Sequence, residues 1–347
     1  MNPWVMFILM TSLGLGTTIT FASSHWLMAW MGLEINTLAI IPLMAQQHHP
    51  RAVEATTKYF LTQAAAAALM LFAATSNAWI FGEWHIQQSS HPLTATIIMI
   101  SLGMKIGLAP THLWLPEVLQ GLDLTTGLIL STWQKLAPMI LIYQLAPSVN
   151  TTLLLMMGLA STLVGGWGGL NQTQLRKILA YSSIAHMGWM LVVLKYSPNL
   201  MLLNLTIYII MTSTAFLTLK TISATNINTL TMIWTKAPTM TTIAMLTMLS
   251  LGGLPPLTGF MPKWMILQEL TKQDLPMAAT IMALAALLSL FFYLRLCYSM
   301  TLTCGPNTIV NKTPWRFKTT TTGPLPLMAI ASLTLLPITP AAVALLT

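Results

Sequence analysis

The run TIIMISLGMKIGLAPTHLWLPE, residues 96–117, decides the fold of this chain. It is apolar and long enough to cross a bilayer, which takes about 20 residues as an α-helix. Yet it carries Lys105 and, five residues later, Pro110. Proline removes a backbone donor and clashes with the preceding turn, so a helix through this run breaks there. A second run has the same design: IAMLTMLSLGGLPPLTGFMPKWMILQEL, residues 243–270, is interrupted by Gly252, Gly253, Pro255 and Pro256 and carries Lys263. Broken helices at membrane depth occur only where protein buries them or where they line a wet cavity. The two runs therefore predict an all-α integral membrane protein with a polar centre.

Composition agrees. The 347 residues are 55% hydrophobic and 6% charged, with mean hydropathy +0.72, whereas soluble domains carry roughly 25% charged residues. The apolar runs are continuous rather than alternating, which fits helical spans better than a β-barrel. The net charge of +8 comes from basic residues scattered singly, not from one dense stripe, so no nucleic-acid partner is expected. Cys297 and Cys304 are too few for a disulfide framework, an iron–sulfur cluster or a zinc site. The start, MNPWVMFILM, lacks a basic n-region and a small-residue cleavage site, and reads as a first span rather than a signal peptide.

Hydropathy predicts eleven transmembrane helices, near 3–22, 26–45, 57–80, 93–118, 124–145, 150–169, 175–194, 199–219, 238–270, 275–297 and 324–345. Each interrupted run is the fourth of a set of five. Five is odd, so a second set enters the membrane from the opposite side. That is the pattern of an inverted repeat centred on its broken helices: one five-helix repeat over 1–147, a second over 148–300, and a loop with an extra C-terminal helix over 301–347. The connections on the N-terminal side hold ten basic residues (Arg51, Lys58, Arg176, Lys177, Lys220, Lys236, Arg295, Lys312, Arg316 and Lys318); the other side holds Lys195 and Lys272. The positive-inside rule then places the N-terminus inside and the C-terminus outside.

Four charged residues lie within the spans: Glu34, Lys105, Lys135 and Lys263. A charge at the bilayer centre costs about 3 kcal/mol or more, and such groups mark ion paths and proton relays. One acid and three lysines without a cofactor motif point to proton handling.

Several stretches together carry a family resemblance: MAWMGLEINTLAIIPLM at 28–44, GMKIGLAPTHLWLPEVLQGL at 103–122, STWQKLAPM at 131–139, NQTQLRKILAYSSIAHMGW at 171–189 and LSLGGLPPLTGFMPKW at 249–264. Over essentially its whole length the chain resembles the chain 2 family of NADH–ubiquinone oxidoreductase, in its vertebrate form. These are mitochondrially encoded, antiporter-like membrane subunits of respiratory complex I. The resemblance implies inverted five-helix repeats with a broken helix in each. It implies eleven helices where bacterial relatives have fourteen, and central charges at the same four residues. It also implies proton translocation across the mitochondrial inner membrane, with NADH, FMN, iron–sulfur clusters and ubiquinone bound by partner subunits. Neighbouring antiporter-like subunits and membrane lipid, cardiolipin included, are the expected partners. No cofactor or metal is expected on this chain, which has no G-x-G-x-x-G, Walker, flavin or haem motif.

On this reading an ion pair between Glu34 and Lys105 is the coupling element. Lys135 is the mid-path relay, and Lys263 is the terminal lysine that passes a proton onward. Burial disfavours the charged form of such groups and an opposite charge restores it, so an acid–lysine pair can exchange a proton. The competing readings are structural: a hydrogen-bonded Glu34, a purely structural pair at Lys135, and lysines snorkelling to an interface at Lys105 and Lys263. Histidine titrates near neutral pH and suits a water-linked wire, which makes His112 and His186 relay candidates, and packing histidines are the equal alternative. Ser182, Ser183 and Tyr181 are candidates to hold water near His186. Glu117 is read as a cap of its interfacial turn, and His48 and His49 as solvated loop. For the whole chain, a stand-alone cation/proton antiporter and a structural spacer of the membrane arm are the rivals.

Overall fold

The computed structural model describes residues 2–46, 49–87, 91–232, 234, 237–302 and 323–346. Two compact units divide the chain, Met1–Ser161 and Thr162–Thr347. The first contains α1 (Pro3–Ala22), α2 (Trp26–Met44), α3 (Pro50–Phe81), α4 (Pro92–Ile106), α5 (Trp114–Gly121), α6 (Leu124–Ser131) and α7 (Trp133–Leu145). Helix α8 (Thr151–Gly168) runs across the division. The second contains α9 (Leu175–Val193), α10 (Pro198–Ile222), α11 (Ile227–Thr231), α12 (Pro238–Gly252), α13 (Phe260–Lys272), α14 (Pro276–Leu302), α15 (Leu325–Thr334) and α16 (Thr339–Leu346).

No described residue belongs to a β-strand, and six described helices are long and apolar enough to cross a membrane: α1, α2, α3, α8, α10 and α14. The chain is a multi-pass helical membrane protein. Large apolar side chains point outward, Trp79 at 91% exposure among them, as lipid-facing helices require. The helices satisfy their polar groups internally, since lipid offers no donors. Serine and threonine hydroxyls donate to carbonyls one turn back, as Ser101 does to Ile98 and Thr214 to Met211, each at 2.7 Å. Proline at the first helical turn begins α1, α3, α4, α10 and α12, where a missing N–H costs nothing.

Several expected spans are split. The fourth is α4 and α5, the ninth α12 and α13. The fifth, expected to be continuous over 124–145, is α6 and α7, which meet at Thr132 (φ −112°, ψ −69°). Pro138 lies further along, inside α7, where it has no amide to give the Gln134 carbonyl. The eleventh is α15 and α16, separated by a 3₁₀ turn at Leu336–Ile338 that contains Pro337. The third begins earlier than expected, at Pro50, because His49 caps it: its Nδ1 accepts from the Arg51 amide at 3.3 Å. His25 and His91 cap α2 and α4 in the same way, each at 3.2 Å. His49 is exposed, as expected, and caps the helix as well. His48, Cys304, Lys236, Lys312, Arg316 and Lys318 lie outside the described residues.

Close helix crossings depend on glycine. A Cβ on Gly165 of α8 would lie 2.6 Å from the Ala185 amide nitrogen and 2.9 Å from the Tyr181 carbonyl of α9. Both are backbone atoms, so neither yields by a rotamer change. Gly165→Val is expected to destabilise this helix pair by about 1–3 kcal/mol. A thermal melt of the purified assembly reads this as a lowered midpoint, and an unchanged midpoint contradicts the crossing.

Candidate functional site

In the first unit six helices, α2 to α7, converge on one buried cavity with polar walls. Its walls include Asn36 and Thr37 of α2, Tyr59 and Gln63 of α3, Lys105 of α4, Trp114 of α5, and Gln134 and Lys135 of α7. The space open to the centre of a water molecule is about 20 Å³; roughly 10–15 Å³ holds one water when polar partners surround it. The breaks build this space. Gly107 ends α4 in the left-handed conformation (φ +86°), and the amides of Gly107 and Leu108 return to the Gly103 carbonyl at 3.0 and 2.9 Å. That closure turns the chain so that α5 packs on α3, with the Trp114 ring 5.8 Å from Tyr59.

Glu34 lies on α2 at the edge of this site. Its Oε1 is 3.9 Å from Lys105 Nζ, and its Oε2 accepts from the Thr37 hydroxyl at 3.3 Å. The lysine side chain is 2% exposed and the glutamate 25%. At this separation the pair is an ion contact, longer than a hydrogen bond, and Lys105 Nζ has no hydrogen-bond partner among the described residues. Lys135, in the first turn of α7, is 3% exposed and lines the same cavity. Lys105 and Lys135 thus line one confined space, with the Glu34 carboxylate at its edge. Gln134 holds α7 against α2 by donating to the Asn36 carbonyl at 3.2 Å.

In the second unit Lys263 sits in the first turn of α13. Its Nζ donates to the Gly252 carbonyl at 2.7 Å and the Leu251 carbonyl at 3.4 Å. These are terminal carbonyls of α12, which lack intrahelical donors and form the negative end of its dipole. The snorkelling alternative for Lys263 does not describe this geometry. The second break is tied further by Thr258, whose hydroxyl donates to the Ser332 carbonyl of α15 at 2.5 Å.

The histidines lie elsewhere. His112 is in the first break, part-exposed, with Nδ1 3.1 Å from the Pro110 carbonyl, and it does not line the cavity. His186 of α9 is buried, its ring 5.5 Å from that of Tyr208. Ser182 and Ser183 donate to the Leu179 and Ala180 carbonyls of their own helix. Tyr181 turns the other way, its ring against Gly168. Glu117 is in the first turn of α5, and its carboxylate accepts from Lys58 at 2.8 Å. Gln63, Tyr59, Trp114 and Gln134 escaped the reading of the sequence. Their one signal there is a polar atom within an apolar run.

Broken half-helices, a buried cavity with polar walls and buried lysines, in a chain of membrane-spanning helices, define an ion-translocating type of membrane protein. Residues 23–289 match the family described as NADH:quinone oxidoreductase/Mrp antiporter, TM, and residues 290–343 match NADH dehydrogenase subunit 2 C-terminus. The chain is 69% identical over 348 residues to NADH-ubiquinone oxidoreductase chain 2 of Salmo salar, covering 100% of both. It is 68% identical over 342 residues to that of Danio rerio, covering 98% of both. Among solved structures, a chain of respiratory complex I from Thermus thermophilus with bound Aureothin superposes with TM-score 0.86 at 26% identity, over 99% of this chain and 80% of that one. A chain of the Mrp complex from Dietzia sp. DQ12-45-1b also reaches 0.86, at 16% identity, and shows the shared fold. The chain belongs to the NADH:quinone oxidoreductase/Mrp antiporter family, in its NADH-ubiquinone oxidoreductase chain 2 branch.

Proposed function

We propose that this chain is a membrane-arm subunit of respiratory complex I and moves protons across the membrane as partner subunits oxidise NADH and reduce ubiquinone. The observation that carries the reading is the shared buried cavity: Lys105 and Lys135 line it, and Glu34 lies 3.9 Å from Lys105 at its edge. Opening of the Glu34–Lys105 contact withdraws the carboxylate that favours the ammonium, and the Lys105 proton moves toward Lys135. Lys263 receives it in the second unit and passes it on. His186, buried in that unit, is the relay candidate among the histidines, whereas the position of His112 favours a local role in the break. FMN, iron–sulfur clusters and ubiquinone belong to partner subunits.

The finer architecture follows the same reading. The helix pairs α4–α5, α6–α7, α12–α13 and α15–α16 each count as one span, which with the remaining long helices makes eleven. The basic side faces the mitochondrial matrix with the N-terminus and would meet anionic lipid such as cardiolipin. The C-terminus faces the intermembrane space.

Glu34→Gln tests the coupling role in the complete complex. Protons moved per NADH oxidised, measured in proteoliposomes, are expected to fall about tenfold, the factor that the loss of one charged contact of about 1.5 kcal/mol gives. An assembled variant with normal stoichiometry at normal turnover removes Glu34 from the mechanism and favours the structural-spacer reading.

A further inference from the structure

The two breaks share a local sequence frame. Setting Gly107 against Gly253 places Leu108 on Leu254, Pro110 on Pro256, Trp114 on Phe260, Pro116 on Pro262 and Glu117 on Lys263. Their first halves end alike. Gly107 and Gly253 adopt φ +86° and +81°, and the Gly253 and Leu254 amides return to the Leu249 carbonyl as their counterparts do to Gly103. A helix that ends inside a membrane leaves its last carbonyls without intrahelical donors, and lipid offers none.

The breaks fill that need with different chemistry. At the second, the Lys263 ammonium takes the Leu251 and Gly252 carbonyls. At the first, neutral donors do the work: Gln63 Nε2 reaches the Lys105 carbonyl at 3.3 Å and Trp114 Nε1 the Met104 carbonyl at 3.0 Å. The Lys105 carbonyl holds the frame position of the Leu251 carbonyl. The residue in the place of Lys263 is Glu117, which turns to Lys58 instead. Lysines in the last turn of a helix readily bond its final carbonyls, and Lys105 is in the last turn of α4.

We propose that Gln63 and Trp114 are positioning residues of the Lys105 site: by occupying the terminal carbonyls of α4 with uncharged donors, they keep the Lys105 ammonium available to Glu34. Without them the α4 carbonyls are left open to the Lys105 ammonium, as the α12 carbonyls are to the ammonium of Lys263, which reaches them from α13. This assignment rests on the proposed role of the Glu34–Lys105 pair.

The test uses Gln63→Leu and Trp114→Phe in the complete complex. Phenylalanine keeps the aromatic packing against Tyr59 and removes only the N–H. Each variant is expected to lower protons moved per NADH about fivefold, the worth of one hydrogen bond. The pH dependence of pumping is read as well, because packing damage alone does not displace it. The titratable groups facing Lys105 are Glu34 of α2, Tyr59 of α3 and Lys135 of α7. Both variants should displace that dependence in the same direction. A wild-type ratio and pH profile in either assembled variant overturns the proposal. If Gln63→Leu does not assemble, Trp114→Phe decides alone. Glu34→Gln reports separately on the pair itself: a deficient Glu34→Gln beside wild-type-like Gln63→Leu and Trp114→Phe keeps the pair and removes the caps.

Discussion

Lys135→Met in the assembled complex is expected to lower proton pumping on the order of 100-fold, the scale on which a positioned proton donor or acceptor acts. The side chain is 3% exposed and borders the cavity that Lys105 also borders. Methionine preserves most of the stem volume and adapts to irregular packing, so the change removes the ammonium and little else. Volume-conserving core changes usually cost less than about 1.5 kcal/mol, and assembly should survive. The measurement is proton uptake per NADH oxidised in proteoliposomes, with quinone reduction followed in parallel. Normal stoichiometry at normal turnover would end the relay role of Lys135 and leave it a structural group.

Lys263 separates capping from proton exchange. Arginine retains a permanent positive charge and several donors, and it does not deprotonate in proteins. Lys263→Arg should therefore keep the α12 carbonyls of Leu251 and Gly252 in partnership. Such a complex is expected to assemble and melt like the wild type while pumping falls on the order of 100-fold. Lys263→Met loses the cap too. Hydrogen bonds from charged groups contribute about 1.5–3 kcal/mol each, and buried carbonyls left unpaired carry a further penalty, so this variant should also show a lowered melting midpoint. Full pumping by Lys263→Arg would show that Lys263 works only as a fixed cation holding the broken helix.

The sequence by itself determined what local chemistry dictates. Apolar runs of bilayer length with few charges specify membrane helices, and that inference needs no knowledge of neighbours. Pro110 and the Gly252–Pro256 cluster mark the breaks because proline and glycine act on their own turn. Glu34, Lys105, Lys135 and Lys263 stand out because a charge inside an apolar run is visible in one dimension. The division at Thr132 was less legible, since neither proline nor glycine stands at 131–133.

Only the tertiary structure decided which of these groups meet. Glu34 and Lys105 are far apart in the chain, and their 3.9 Å separation depends on how α2 and α4 pack. The partners that complete the site, Gln63, Trp114 and Gln134, are ordinary residues until three helices bring them to carbonyls of α4 and α2. His112 illustrates the converse: it follows the break closely in sequence, yet its ring stays on the Pro110 carbonyl and away from the cavity. Lys263 could not be assigned to the α12 carbonyls from spacing, because the turn between α12 and α13 sets where its ammonium arrives. Hydropathy and helix breaking are properties of a segment and its immediate neighbours. The pairing of buried polar atoms is a property of packed helices, because each buried donor and acceptor must find its partner wherever the fold brings one.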